Sequence, residues 1–464
     1  MPYGTAFFPK RSNAHQRFLF ECLFKYTYIT YLKVNFLAME TCALGMLIIK
    51  SAKIMFRMPE PLKGFYRRHA ALVNVLLAAL ILNLVYLNAV AAPVFDESYY
   101  VPAARQILQN CTDLNPEHPP LVKLVLAGSM KIFGDSPLGW RLPSVAAGLA
   151  GAAFLYFLAL ELTRSKKIAL LSAALLAFDP LYVLLSRTGM LDIFMLAFAL
   201  GGALFLLKGN YPLSGLLFGL GIASKFPAAF ALVAAVVFVW SQKRPEPRKL
   251  ALLLALACLA FLLASLPFIV SEGPASWLST RVYYIGEMSK MSSAGSFTSN
   301  AAEWLYLQKP AWFLWSRADA IMPADMRWLA GLLGGTPVLA LIALGNPVFW
   351  VPGLLAVFWL VLQKSVKLKR LRLFAALWFV CNYVPYVLLP RTNTFIYYML
   401  PVLPAYALAL SQFLDGKAYK KWYLALLAAS LALLLPFAIG LPVPQGYLDL
   451  LSPLIGSGLT VNVS

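Results

Sequence analysis

Charge is what this sequence has least of. Only 12% of its 464 residues are Asp, Glu, Lys or Arg, where a soluble chain carries about a quarter. No aqueous fold of this size hides a composition that is 61% hydrophobic, so a large soluble helical protein is excluded and the bilayer is the solvent. Cysteine is scarce too. Cys22, Cys42, Cys111, Cys258 and Cys381 show neither metal spacing nor a disulfide framework, and they read as free thiols. There is no internal repeat, no low-complexity linker and no stretch with the composition of a soluble domain. No small-residue cleavage site follows a clear apolar core near the start, so a signal peptide is not expected.

What the chain has in quantity is apolar runs of near-spanning length. They fall at 70–92, 143–162, 168–186, 190–207, 212–224, 226–241, 250–270, 347–363, 373–389, 395–412 and 421–441. The expected architecture is an all-α polytopic membrane protein of about eleven transmembrane helices. Two runs, 212–224 and 226–241, are short and abut at Lys225 and Pro227, as a pair meeting below the membrane surface would. Three regions are expected: a basic, aromatic extension over 1–68, a membrane domain over 69–445 and a tail over 446–464. The extension, marginally apolar at 34–49, reads as an extra helix, an interfacial segment or an upstream start preceding Met58. Residues 119–133 (PPLVKLVLAGSMKIF), with Lys123 and Lys131, suit a helix lying on the surface better than a span.

A net charge of +20 suggests nucleic acid until the charges are placed. The loops at 57–68, 164–167, 208, 243–249, 364–372 and 417–421 hold about half of the 39 Lys and Arg and almost no acid. The opposite loops are close to balanced. The positive-inside rule puts the basic set and the N-terminus in the cytoplasm and the two long loops, 93–142 and 271–346, outside. The basic excess is then topology, and no nucleic-acid partner is expected. Loops of that length without a domain of their own tend to carry function.

The chemistry-bearing residues gather at that outer boundary. Residues 94–100 read VFDESYY, with Asp96 and Glu97 adjacent just after the first span, and carboxylates there are costly unless they have partners or work. Residues 115–123 read NPEHPPLVK; the double proline forces an extended approach into the next helix and places Glu117 and His118 at its start. Arg141 sits in GWRLPS, Arg187 and Asp192 in SRTGMLD, Lys225 in GIASKF, and Arg391 between the ninth and tenth spans. Singly, each cation reads as a snorkelling anchor. Together they describe cations around carboxylates at the lipid–water boundary, which suits a lipid-linked phosphate. Glycosyl transfer from a phosphate has a good leaving group already. It needs charge stabilisation on that phosphate and a carboxylate to take the acceptor's proton, which is enough for an inverting displacement.

The succession FDESYY, NPEHPPLVK, GWRLPS, SRTGMLD and GIASKF, followed by GNPVFW (345–350) and FIYYMLPVLP (395–404) after Arg391, resembles the protein O-mannosyltransferases. The resemblance runs from about residue 71 to 413. It implies the C-type glycosyltransferase fold, a polyprenyl- or dolichyl-phosphate sugar donor, and serine or threonine of a secreted or membrane protein as acceptor. By it, Asp96 is the base and Glu97 its neighbour; Arg141, with Lys225 and Arg391, holds the donor phosphate. Glu117, His118, Tyr397 and Tyr398 belong to the substrate site, and with them Arg187 and Asp192, whose block reads as mainly structural. The resemblance admits a divalent metal at Glu117 and His118, implies no other cofactor, and admits a dimer. Eukaryotic members carry a β-trefoil in the large outer loop. Residues 271–346 are too few for one, which implies a prokaryotic, archaeal-like form. Where the family has a Tyr-His-Tyr run, Tyr398 and Met399 fill the last two positions. Asn110-Cys111-Thr112 and Asn462-Val463-Ser464 are glycosylation sequons on outward segments. Two other readings stand beside this one: a lipid- or glycan-directed transferase of the same fold, like the aminoarabinose transferases, and a transporter of lipid-linked sugar.

Overall fold

In hydrocarbon, every backbone N–H and C=O must find its partner within its own segment, so the apolar runs fold as helices. The computed structural model describes residues 60–290, 298–322, 337–388 and 393–455, with isolated positions between 323 and 336. Residues 1–59 (with Cys22, Cys42 and Met58), Arg391 and the 462–464 sequon lie outside the described residues. The chain divides into two units, 1–70 and 71–464. Of the first, only the beginning of a helix is described.

The helices are α1 (Glu60–Leu84), α2 (Glu97–Asn110), α3 (Leu121–Phe133), α4 (Pro137–Thr163), α5 (Lys166–Ala177), α6 (Pro180–Ser186), α7 (Leu191–Leu207), α8 (Tyr211–Ser224), α9 (Ala228–Lys243), α10 (Pro247–Glu272) and α11 (Pro274–Lys290). After a single turn at Ala301–Leu305 come α12 (Pro347–Leu362), α13 (Lys369–Leu388), a 3-10 segment at Ile396–Val402, α14 (Leu403–Leu414), α15 (Lys420–Ile439) and α16 (Gln445–Ile455). Among the described residues, six helices are long and apolar enough to cross a membrane, and a seventh span exists if the bent pair α5 and α6 counts as one. Helices α7, α8, α9 and α12 are apolar but shorter. Every expected run therefore has its helix, though not each at full spanning length.

Two expected spans differ in ways with local causes. The run 168–186 bends by 67° at Asp179-Pro180. The residue before a proline avoids helical geometry, and Asp179 caps the new helix by accepting from Leu181 N at 3.1 Å. Its other oxygen accepts from Asn346 N (3.1 Å) and Trp350 Nε1 (3.0 Å), tying the break to α12. The first run ends at Leu84 rather than near residue 92. The carbonyls of its last turn, Leu82 and Asn83, accept from Arg187, and those of Leu87, Val90 and Ala92 from Arg141. Guanidinium groups thus satisfy backbone acceptors that a helix end would leave bare.

The core centres on α7, buried along almost its whole length and flanked by α4, α8 and α9. Helix α10 packs on α8 and turns Leu252, Leu259, Leu262, Leu263 and Leu266 outward, as a lipid-facing surface requires. The α8–α10 contact is close because Gly215 and Gly219 face it: a Cβ there would collide with the carbonyl of Leu253 or Ala257. Small residues four apart are the usual means of bringing two membrane helices together.

The loop 271–346 holds more than an irregular connection. It supplies α11 and two strands, β1 (Ala311–Arg317) and β2 (Val338–Ala343), which pair antiparallel from Ala311 with Ala343 to Arg317 with Val338, with a bulge between Trp312 and Leu314. A third strand, β3 (Pro442–Val443), pairs antiparallel with β2. The helical architecture thus gains a small buried sheet. Leu448, Leu451 and Ile455 of α16 pack in the same apolar cluster.

Gly219→Val should lower the melting temperature in detergent, since forcing atoms into a packed contact costs about 1–3 kcal/mol. Gly128→Ala, where a Cβ meets nothing within 4 Å, should be neutral or slightly stabilising.

Candidate active site

The turn after α1 sends two neighbouring carboxylates in opposite directions. Phe95 adopts a positive φ of 46°, an uncommon and strained conformation for a bulky residue. It is held there by stacking on Phe313 at 4.4 Å and edge contacts with Phe395 and Tyr397. Glu97 turns inward and is fully buried. Its carboxylate receives Arg141 Nη2 at 2.8 Å and Nε at 3.0 Å, Gly189 N at 2.7 Å and Val94 N at 2.9 Å. Asp96 occupies the N-cap of α2, yet its side chain caps nothing. It faces a cavity instead, where Tyr397 Oη donates to Oδ2 at 3.2 Å and Tyr100 Oη at 3.4 Å.

That cavity, about 530 Å³ in volume, is lined by Phe95, Ser98, Tyr99, Tyr100, Asn115, Glu117, His118, Lys225, Asn393, Phe395, Tyr397 and Tyr398 beside Asp96. Lys225 is its one cation among the described residues. The lysine sits where α8 breaks, with extended backbone (φ −159°, ψ 132°), and Pro227 precedes α9. Its Nζ donates to both oxygens of Asp192, at 2.8 and 2.9 Å, and lies 4.8 Å from the Tyr398 ring and 5.4 Å from that of Tyr397. Burial raises the Asp96 carboxyl to about 6, against the opposing pull of Lys225 and the two tyrosine hydroxyls, with Asp192 adding to the rise. A carboxylate of that basicity in a recess is suited to accept a proton near neutral pH. Burial, with Asp96 beside it, holds the Tyr100 hydroxyl well above its ordinary value, so it stays a donor.

Of the residues expected from the sequence, Asp96, Glu117, His118, Lys225, Tyr397 and Tyr398 share this cavity, and Asp192 anchors its lysine. Glu97, Arg141 and Arg187 do not line it. Arg141 is engaged by Glu97 and three carbonyls, and Arg187 by the carbonyls of Leu82, Asn83 and Ile439. Both line a separate small recess with Tyr86 and Gly440. Arg391 lies outside the described residues. For a metal, Glu117 and His118 are the available donors. Among the described residues no three of His, Cys, Asp and Glu come together to hold an ion, and the pair alone falls short of a usual ligand set. Tyr100 was missed as a partner of Asp96, though its spacing of four along a helix brings it there. Phe95, Asn115 and Phe395 open three of the motifs without having been given a role, and Asn393 lies outside them.

The fold is that of the C-type glycosyltransferases. It superposes on the S. cerevisiae protein O-mannosyltransferase Pmt1-Pmt2 complex bound to the sugar donor with a TM-score of 0.68, at 11% identity, over 83% of this chain and 92% of that one. ArnT from Cupriavidus metallidurans bound to undecaprenyl phosphate gives 0.52 at 17% identity, over 79% and 64%. Residues 117–270 match the family described as dolichyl-phosphate-mannose-protein mannosyltransferase, which bears out the resemblance read from the motifs. The polyprenol-phosphate-mannose–protein mannosyltransferase of Mycolicibacterium smegmatis is 32% identical over 124 residues, which are 25% of this chain and 24% of that protein. The match thus spans about a quarter of the curated relative's length.

The two carboxylates should part company on substitution. Glu97→Gln leaves Arg141 buried without its counter-charge and should cost about 3–5 kcal/mol, the usual effect of removing one member of a buried pair. Asp96→Asn removes a carboxylate whose ionised form burial disfavours, so melting in detergent at neutral pH should be unchanged or higher.

Proposed function

We propose that this chain transfers a mannosyl, or related glycosyl, residue from a polyprenyl- or dolichyl-phosphate donor to serine or threonine hydroxyls of secreted or membrane proteins, with inversion. The observation that carries this reading is an aspartate and a buried lysine, Asp96 and Lys225, facing one open cavity. Lys225, oriented by Asp192, meets the donor phosphate and stabilises the charge that collects there. Asp96, placed by Tyr100 and Tyr397, takes the proton of the acceptor hydroxyl. As the acceptor oxygen bonds to the sugar's anomeric carbon, the bond from that carbon to the phosphate oxygen breaks. The polyprenyl phosphate leaves with the electron pair. Aromatic Phe95, Tyr99 and Phe395 offer faces for the sugar or the first carbons of the lipid. Arg141 acts at one remove, by holding Glu97 and the turn that aims Asp96. The distribution of basic loops supports a cavity opening on the outer face of the cell membrane, with the N-terminus inside. The likeness to the Pmt1-Pmt2 complex supports a subunit pairing as part of the same proposal.

The competing acceptor is a lipid or glycan, favoured by the likeness to ArnT. Purified protein given polyprenyl-phosphate [³H]mannose and a Ser/Thr-rich peptide should label the peptide, and alkali should release the label by β-elimination. Label found only in lipid would assign the second acceptor class, and no transfer from the donor would remove the transferase reading. Asp96→Asn should lower kcat by about 10²–10⁴-fold, the span usual for a general base.

The pH profile follows from the same group. The working form is ionised, so kcat/KM should rise with pH through about 6 and be lost below it. Tyr397→Phe removes a hydrogen bond that favours the ionised form, so the acid limb should move to higher pH. A limb that stays in place would dissociate Asp96 from the profile.

A further inference from the structure

One buried group of charges next to the cavity has no part in the reaction as described. Lys123, in the first turn of α3, is fully buried. Its Nζ donates to both carboxylate oxygens of Asp113 (2.7 and 2.6 Å), to the carbonyl of His118 (3.0 Å) and to that of Asn115. One ammonium thus gathers segment 113–118, and Asn115, Glu117 and His118 of that segment form one side of the cavity. Burial, with Arg281 adding and Asp113 and Glu117 opposing, brings Lys123 down to about 8, so it remains charged at neutral pH.

The third member comes from far along the chain. Arg281, on α11, reaches Asp113 Oδ2 with Nη2 at 3.4 Å and lies 5.9 Å from the Trp277 ring. It is 6% exposed, and its Nε and Nη1 are buried with no hydrogen-bond partner. A cation buried with one long contact is a poor stabiliser, because desolvation exceeds what that contact returns. The chain beyond α11 also reaches a second stretch of the cavity lining. Ser299 N donates to Thr394 O at 2.7 Å, between the lining residues Asn393 and Phe395. The second long loop therefore meets the chain next to two stretches of the cavity lining, at the Asp113 side chain and at the Thr394 carbonyl.

We propose that Arg281 is a positioning residue for the acceptor: acting through Asp113 and Lys123, it sets the wall of Asn115, Glu117 and His118 against which the hydroxyl-bearing substrate seats. The donor side, built on Lys225 and Asp192, is anchored separately. The inference rests on the transfer reaction proposed above.

Arg281→Met is the variant to use. Asp113 keeps Lys123 in it, whereas Asp113→Asn would leave two buried cations uncompensated and risk the fold. With polyprenyl-phosphate mannose and a synthetic Ser/Thr peptide, peptide KM should rise about tenfold while donor KM and kcat hold, the signature of lost uniform binding of one substrate. Arg281→Lys should recover most of that affinity. Amide exchange should quicken at 113–118 and stay unchanged at 191–207. An unchanged peptide KM, or a fall in kcat with both KM values constant, overturns the proposal. Should the unsubstituted protein transfer nothing to peptide, the failure belongs to the reaction. The exchange measurement then decides alone, and unaltered exchange at 113–118 in Arg281→Met overturns the positioning role.

Discussion

Arg141 and Glu97 meet in a space closed to water, and much of the surrounding chain is arranged by their meeting. Five donor contacts of the guanidinium reach across to the carboxylate and to the carbonyls of Leu87, Val90 and Ala92. Those bonds hold the turn that follows the first membrane helix and join it to α4, while Arg187 takes the carbonyls of the helix's last turn. Gly189, just before α7, is drawn in through the same carboxylate. With Glu97 fixed inward, the residue before it has only the other side to face. A single buried pair therefore divides two adjacent carboxylates between structure and chemistry. An ion pair of this kind adds little net stability over an apolar substitute; what it supplies here is direction.

The cavity repeats this economy with other partners. Lys225 lies in a stretch where the helix has broken, so its side chain reaches Asp192 on α7 and the two tyrosine rings together. The pair Asp192 and Lys225 is neutral as a unit, leaving Asp96 and Glu117 as the acidic groups facing the open space. Aromatic rings from three parts of the chain, around residues 95, 313 and 395, close on one another and hold Phe95 in a conformation it would not keep alone.

Much of the helical framework could be read from composition alone, because spanning runs leave a signal that survives without any knowledge of packing. The bend at Asp179 was written there too, as an N-cap followed by proline, but a window of mean hydropathy blurs it. The strands β1 and β2 were not legible. AWFLWSR and VLALIA are short apolar runs without alternation, since β2 is buried on both faces, and such runs do not distinguish strand from helix. Charge placed at the outer boundary singled out Asp96, Lys225, Glu117 and His118, which line one cavity. The same reasoning gathered Arg141 and Arg187 with them, because linear order gives depth along a helix but not the face on which a side chain emerges. The cluster of Asp113, Lys123 and Arg281 was not legible: Lys123 suited a helix lying on the surface, yet it is buried, and Asp113 stands 10 positions from it and 168 from Arg281.

The volume of the recess has a consequence for timing. A space of about 530 Å³ takes a hexose and one side chain with its adjoining backbone; it does not take a folded domain. On the proposed activity, a hydroxyl is reachable only while its segment is still extended, so modification and folding of the target run against each other. A sugar added early then becomes a fixed bulk that the target's final packing must accommodate, and segments that collapse quickly escape it.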